Sequence, residues 1–212
     1  MIGQLWMVGE HTQAINLGRT VLEDHERLLG ADDEDTIDAA AGLALAYGGQ
    51  RRHDEAIALN TKVVTWREEH LGDTHPETLN ARNILANNYL ESSNDYGLPD
   101  RASTAVALHE HNLGEYLRVL GETHRGTPYS WRSLCMAYAA AGRHHDAAAL
   151  LEILAAALDR NPNQPRFQRL FTDSVLAETY WSLGRRDDAL SLLDRTTAQM
   201  VSELGSTHPF TL

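Results

Sequence analysis

The stretch Leu71–Tyr89, LGDTHPETLNARNILANNY, reads as the junction between two helices followed by most of the second one. Leu71-Gly72 closes a helix, because glycine takes the left-handed conformation without a Cβ penalty. Pro76 suits the first turn of a new helix, where its missing N–H has no partner to lose. Thr74 or His75 is the expected N-cap, and Glu77 sets negative charge at the positive end of the helix dipole. The new helix carries Asn80, Asn83 and Asn87 at i, i+3 and i+7, which places them on one face.

The frame recurs. Tyr47, Tyr89, Tyr138 and Tyr180 follow at spacings of 42, 49 and 42, and Leu43, Leu85, Leu134 and Leu176 sit four before each. Ala14, Ala56, Ala105, Ala147 and Ala189 repeat at 42, 49, 42 and 42. A period in this range indicates stacked repeats rather than one globular core. Apolar spacing within each unit is helical throughout, and no stretch reads as a strand. The expected helices are a partial one at 1–8, an outer one at 11–28, then inner and outer pairs at 34–48 and 53–70, 76–92 and 100–119, 127–141 and 144–159, 166–183 and 186–204. Two irregularities stand out. Seven extra residues fall in Ser92–Asp100, SSNDYGLPD, whose Asn, Gly and Pro favour a loop over a longer helix. The fourth junction reads NPNQPRF but keeps turn chemistry through Pro162 and Pro165.

Composition narrows the function classes. A net charge of −12, with Lys62 the single lysine, argues against nucleic-acid or anionic-membrane surfaces, which need a basic patch. No apolar run approaches the ~18 residues of a membrane span, and the N-terminus lacks the features of a signal peptide. The single cysteine, Cys135, excludes an internal disulfide framework and fits a reducing compartment, so a cytoplasmic location is expected. The chain starts within an inner helix and stops at THPFTL as another begins, with no polar capping unit at either end. A piece of a longer protein is the expectation, a short natural chain with frayed or self-associating ends the alternative.

LGDTHPETL, NILANNY and HDEAIAL, with AYAAAGRHHDAAAL and TYWSLGRRDDALSL later, resemble tetratricopeptide repeats of the long variety found in kinesin light chains. The resemblance covers essentially the whole chain; Ser92–Asp100, the altered fourth junction and the first junction, LGADDEDT, depart from it. It implies an all-α, right-handed superhelical solenoid of antiparallel helix pairs over residues 1–212. A partial unit at 1–30 would precede repeats at 31–72, 73–121, 122–163 and 164–205, and a further unit would start at 206–212. Ala44, Ala86, Cys135 and Ala177 would let the helices of each pair approach, together with the outer-helix alanines, which makes Cys135 a packing residue.

The resemblance places peptide recognition on inner-helix positions facing a concave groove. These are Asp38, Ala41 and Leu45; Asn80, Asn83 and Asn87; Tyr129, Arg132, Ser133 and Met136; and Phe171, Ser174, Glu178 and Trp181. An asparagine amide pairs with the backbone of an extended peptide whatever its sequence. Arg132 offers a fork for a carboxylate, or pairs with a carboxylate of the chain itself. Tyr129, Phe171 and Trp181 supply apolar pockets, or pack between neighbouring units. The family's clamp for a peptide C-terminus depends on groove lysines, and Lys62 lies on an outer helix. The acidic balance favours a neutral or basic protein segment as partner. Similar repeats also occur behind the nucleotide-binding module of STAND-type signalling ATPases, so a regulatory arm or an assembly scaffold is the alternative.

No GxxxxGK[ST], GxSxG, HExxH or GxGxxG motif is present, so no catalytic or cofactor-binding residue is assigned. His109/His111 and His144/His145 lack the spacing that would put two metal ligands on one helix face. His75, His124 and His208 fall at junctions, where capping accounts for them.

Overall fold

The computed structural model describes residues 11–121, 127–160 and 166–204. Among them are nine α-helices and no strand: α1 (His11–Leu28), α2 (Glu34–Gly49), α3 (His53–Leu71), α4 (Pro76–Tyr96), α5 (Pro99–Glu115), α6 (Thr127–Ala140), α7 (His144–Arg160), α8 (Arg166–Ser182) and α9 (Arg186–Leu204). Helix α5 runs on into a wider π-helical turn, Tyr116–Leu120, which the sequence did not announce. The expected helix at 1–8, His124, His208 and the fourth junction lie outside the described residues. The chain forms two compact units, Met1–Gly121 and Glu122–Leu212. Within each, every helix packs on the ones before and after it in sequence.

The repeat alanines are the seams of these pairs. Ala44, Ala86 and Ala177 on first helices and Ala14, Ala56, Ala105 and Ala189 on second helices are all fully buried, and Cys135 and Ala147 nearly so. Leu43, Leu85, Leu134 and Leu176 are buried one residue before each small one, so a narrow contact is flanked by an apolar knob.

At the junction before α4, Gly72 takes φ +88° and His75 is the N-cap, its Nδ1 accepting from the Glu77 N–H at 3.3 Å. Thr78 is fully buried and donates its hydroxyl to the Arg67 carbonyl at 3.3 Å; Thr36 does the same to Gly30 at 2.7 Å. Arg82, also buried, ties α4 to both sides of the turn through Glu68 and Asp73, each at 2.5 Å.

The hairpin turns use a second recurrent device. Arg52, Arg143 and Arg185 each lie five residues after a repeat tyrosine and stack on its ring at 4.5, 4.5 and 3.9 Å. Their backbone N–H groups donate to the same tyrosines' carbonyls, at 3.0, 2.8 and 2.9 Å. Each guanidinium then pairs three residues on, with Glu55, Asp146 and Asp188. The residue before each arginine is left-handed: Gly142, Gly184 and, unusually for a side chain, Arg51 at φ +58°.

The pair α4/α5 breaks this pattern, and here the expected loop at Ser92–Asp100 is corrected. The extra residues lengthen both helices, leaving Gly97 and Leu98 as the turn. Gly97 is the left-handed C-cap and Pro99 opens α5, so the turn signals are used, but within two residues. The reason is tertiary. Ser92 and Ser93 are buried, and Asp95 reaches the previous hairpin, accepting from Arg51 Nε at 2.8 Å and meeting buried His53 Nε2 at 2.5 Å. Those bonds, from His53 foremost and then Arg51, hold the Asp95 carboxyl below its usual range. Tyr96 sets its ring edge-on to His53 and donates its hydroxyl to the Arg51 carbonyl at 3.2 Å.

Candidate functional site

In unit 1 the open face of α4 is polar. Asn80 is exposed, while Asn83 and Asn87 are half-buried on α4, and the Asn83 side-chain oxygen is buried without a partner. Asp38 on α2 is engaged: Arg67, reaching across from α3, donates to it at 3.0 Å and to the Glu77 carbonyl of α4 at 3.2 Å. That guanidinium plugs the space where α2, α3 and α4 meet. Ala41 is half-buried and Leu45 is exposed on the same helix.

In unit 2 several of these register positions carry large apolar side chains instead. Tyr129 and Met136 on α6 are 60% and 52% exposed, and Phe171 and Trp181 on α8 are 48% and 53% exposed. These aromatic side chains lie in the open, not in a core. Glu178 is exposed between them in sequence, and Ser174 is half-buried with its hydroxyl on the Leu170 carbonyl at 3.0 Å. Ser133 is a correction: it is only 7% exposed. One residue beyond the exposed Arg132, it turns to the flank of α6 instead of its open face, so it is not available to a ligand.

Arg132 lies over two rings, 5.3 Å from the Tyr129 centroid and 6.0 Å from that of Phe171. No carboxylate among the described residues pairs with it. Trp181 carries a similar partner in Arg186, at 5.5 Å.

Behind this face, α6, α7 and α8 enclose a cavity of about 330 Å³. It is lined by Leu151, Leu154 and Leu158 from α7, Phe171 and Val175 from α8, and Cys135 from α6. Burial pushes the Cys135 thiol up to about 12, which makes it an inert packing group as the sequence suggested. Arg132 and Tyr129 border the cavity, and Gln168 lines it with a side-chain oxygen that has no partner. Residue-by-residue reading of the sequence missed this feature. The repeat register contained it, because Leu158 and Tyr129 occupy the positions held in unit 1 by Arg67 and Asp38.

No helix among the described residues is long and apolar enough to cross a membrane. Models of the tetratricopeptide repeat match residues 3–69 and 174–201. No curated protein matches the sequence. Among solved structures, a kinesin-light-chain candidate of Podosopora anserina with nearly identical TPR-like repeats is similar at 25% identity and a TM-score of 0.83, over 96% of this chain and 93% of that one. A single-substitution variant of that protein is similar at the same identity and TM-score, over 95% and 92%. BtubC (BKLC) of P. vanneervenii shares the fold at 18% identity and a TM-score of 0.76, over 98% of this chain and 80% of its own. The spacing, the helix pairs and these likenesses agree: the chain has the all-α tetratricopeptide-repeat fold, with repeats resembling those of kinesin light chains.

Proposed function

We propose that the chain is a non-catalytic module that holds extended segments of other proteins on the open faces of its first helices, unit 1 through α4 and unit 2, by itself, through α6 and α8. The tetratricopeptide fold itself supports an interaction scaffold in general terms. The observation that carries the finer reading is the exposure of Tyr129, Met136, Phe171 and Trp181 at the register positions of that face. Large apolar side chains held in water cost free energy that a partner recovers on docking. The residues assigned to recognition are Asn80, Asn83 and Asn87, which hydrogen-bond partner backbone, and Tyr129, Arg132, Phe171, Glu178 and Trp181, which grip its side chains. With a net charge of −12 on the whole chain, the partner segment is neutral or basic overall.

The experiment is capture from source-cell lysate by the wild type and by an Asn83→Ala/Arg132→Glu variant of equal helicity. Proteins retained by the first and lost by the second support the assignment. Identical captures refute it for these residues.

A scaffold reading has one observation in its favour. Leu190, Leu193 and Val201 are exposed on α9, whereas Ala148, Leu151 and Ala155, 42 residues before Leu190, Leu193 and Thr197, are buried on α7. Light scattering separates the two: mass that rises with concentration, and falls in Leu190→Lys/Leu193→Lys, favours the scaffold.

A further inference from the structure

The cavity in unit 2 goes beyond a surface for extended segments. It opens at the α6/α8 face but runs behind it, down to Cys135 and Leu154, which are 3% and 6% exposed. An occupant enters between the helices instead of lying along them. We propose that it is a binding site for a small aliphatic carboxylic acid, its chain in the apolar interior and its carboxylate on Arg132 at the mouth.

Three observations carry this. The first is the register. In unit 1 the junction is plugged by Arg67, held between Asp38 and the Glu77 carbonyl. In unit 2 the equivalents are Leu158, Tyr129 and Gln168, so the plug is gone and apolar walls remain. The resulting volume of about 330 Å³ falls within the range of small-molecule sites, roughly 300–1,000 Å³. The second is charge. Arg132 stands where unit 1 has Ala41, and it is the charged residue among the described lining, with two aromatic rings and no carboxylate against it. A guanidinium so placed presents its fork to an anionic head group. The third is Gln168, whose buried side-chain oxygen finds no protein partner and is left for the water or hydroxyl that accompanies a polar head. This inference does not rest on the interaction reading, although Tyr129, Arg132 and Phe171 serve both.

The test is calorimetric titration of the whole chain with sodium decanoate below its micellar range, and with decanol as the neutral counterpart. Circular dichroism confirms that every variant folds. The expected result is one saturable site for decanoate, with affinity reduced about tenfold or more in Arg132→Gln and for decanol. Arg132→Lys keeps part of the affinity. A Tyr129→Asp/Leu158→Arg variant, which installs the plug of unit 1, abolishes binding. The proposal is overturned by any of three results: no saturable binding to the wild type, equal affinity in Arg132→Gln, or unchanged binding in a folded plug variant. It is also overturned if a short peptide ending in leucine binds more tightly than decanoate and loses that affinity in Arg132→Gln, because the cavity then serves a peptide.

Discussion

The junction of α2, α3 and α4 in unit 1 and that of α6, α7 and α8 in unit 2 are built on the same register, yet one is filled and the other hollow. Both have small residues at the helix seams and leucines beside them. They differ in the side chains around the gap: Arg67, Asp38 and Ala41 in the first, Leu158, Tyr129 and Arg132 in the second. The repeat thus fixes backbone and seam, while a few positions outside the seam decide whether a junction is a strut or a site.

The largest contrast concerns acid. His109 on α5 of unit 1 is fully buried, neither ring nitrogen has a partner, and burial lowers its pKa from 6.5 to about 4. Its counterpart on α7 is Leu151, which takes no proton. Between those two values the unfolded chain binds the extra proton. His109 therefore costs unit 1 nothing above about 6.5 and destabilises it as pH falls toward 4, by about 3 kcal/mol in all. Urea unfolding read by hydrogen exchange in each unit should show unit 1 weakening first, and His109→Leu should flatten that slope. An unchanged slope in the variant would sink the assignment.

The seam should behave alike on both sides. Ala86→Leu and Ala177→Leu each force a larger side chain into a fully buried contact, at a cost of about 1–3 kcal/mol. A loss confined to one unit would mean that the two do not share one frame. A smaller effect is expected from Arg67→Leu, which makes the filled junction resemble the hollow one. Two hydrogen bonds go, but Asp38 is largely exposed, so the cost is about 1–2 kcal/mol in chemical unfolding. The smallest concerns the turns. Gly142→Arg copies Arg51 into unit 2 at φ +71°, where no atom obstructs a Cβ, and should cost about 1 kcal/mol of backbone strain.

The regular helices were legible because capping, period and small-residue spacing agree on each of them; α1 and α9 run over the very residues expected, nearly every other helix starts where expected, and most of the remaining ends shift by one residue. Ser92–Asp100 misled because its turn-forming residues are local signals, while the helix extension is held by Asp95 and Tyr96 on a hairpin more than 40 residues earlier. Ser133 misled for a related reason: a helix face is a continuous arc, and one position beyond Arg132 suffices to leave it. The cavity was hidden because each lining residue is ordinary by itself. Only the substitution of Leu158 for Arg67 across the repeat reveals that a plug is missing.

The central claim, that the open faces of the first helices meet the partner, is tested most directly by site-specific photocrosslinking in the source cells. p-Benzoylphenylalanine would replace Phe171 on α8 in one variant and Ile153 on the outer side chain row of α7, 57% exposed, in another. Adducts from position 171 with none from position 153 are the expected result. Adducts at 153 alone, or equally at both, would contradict it.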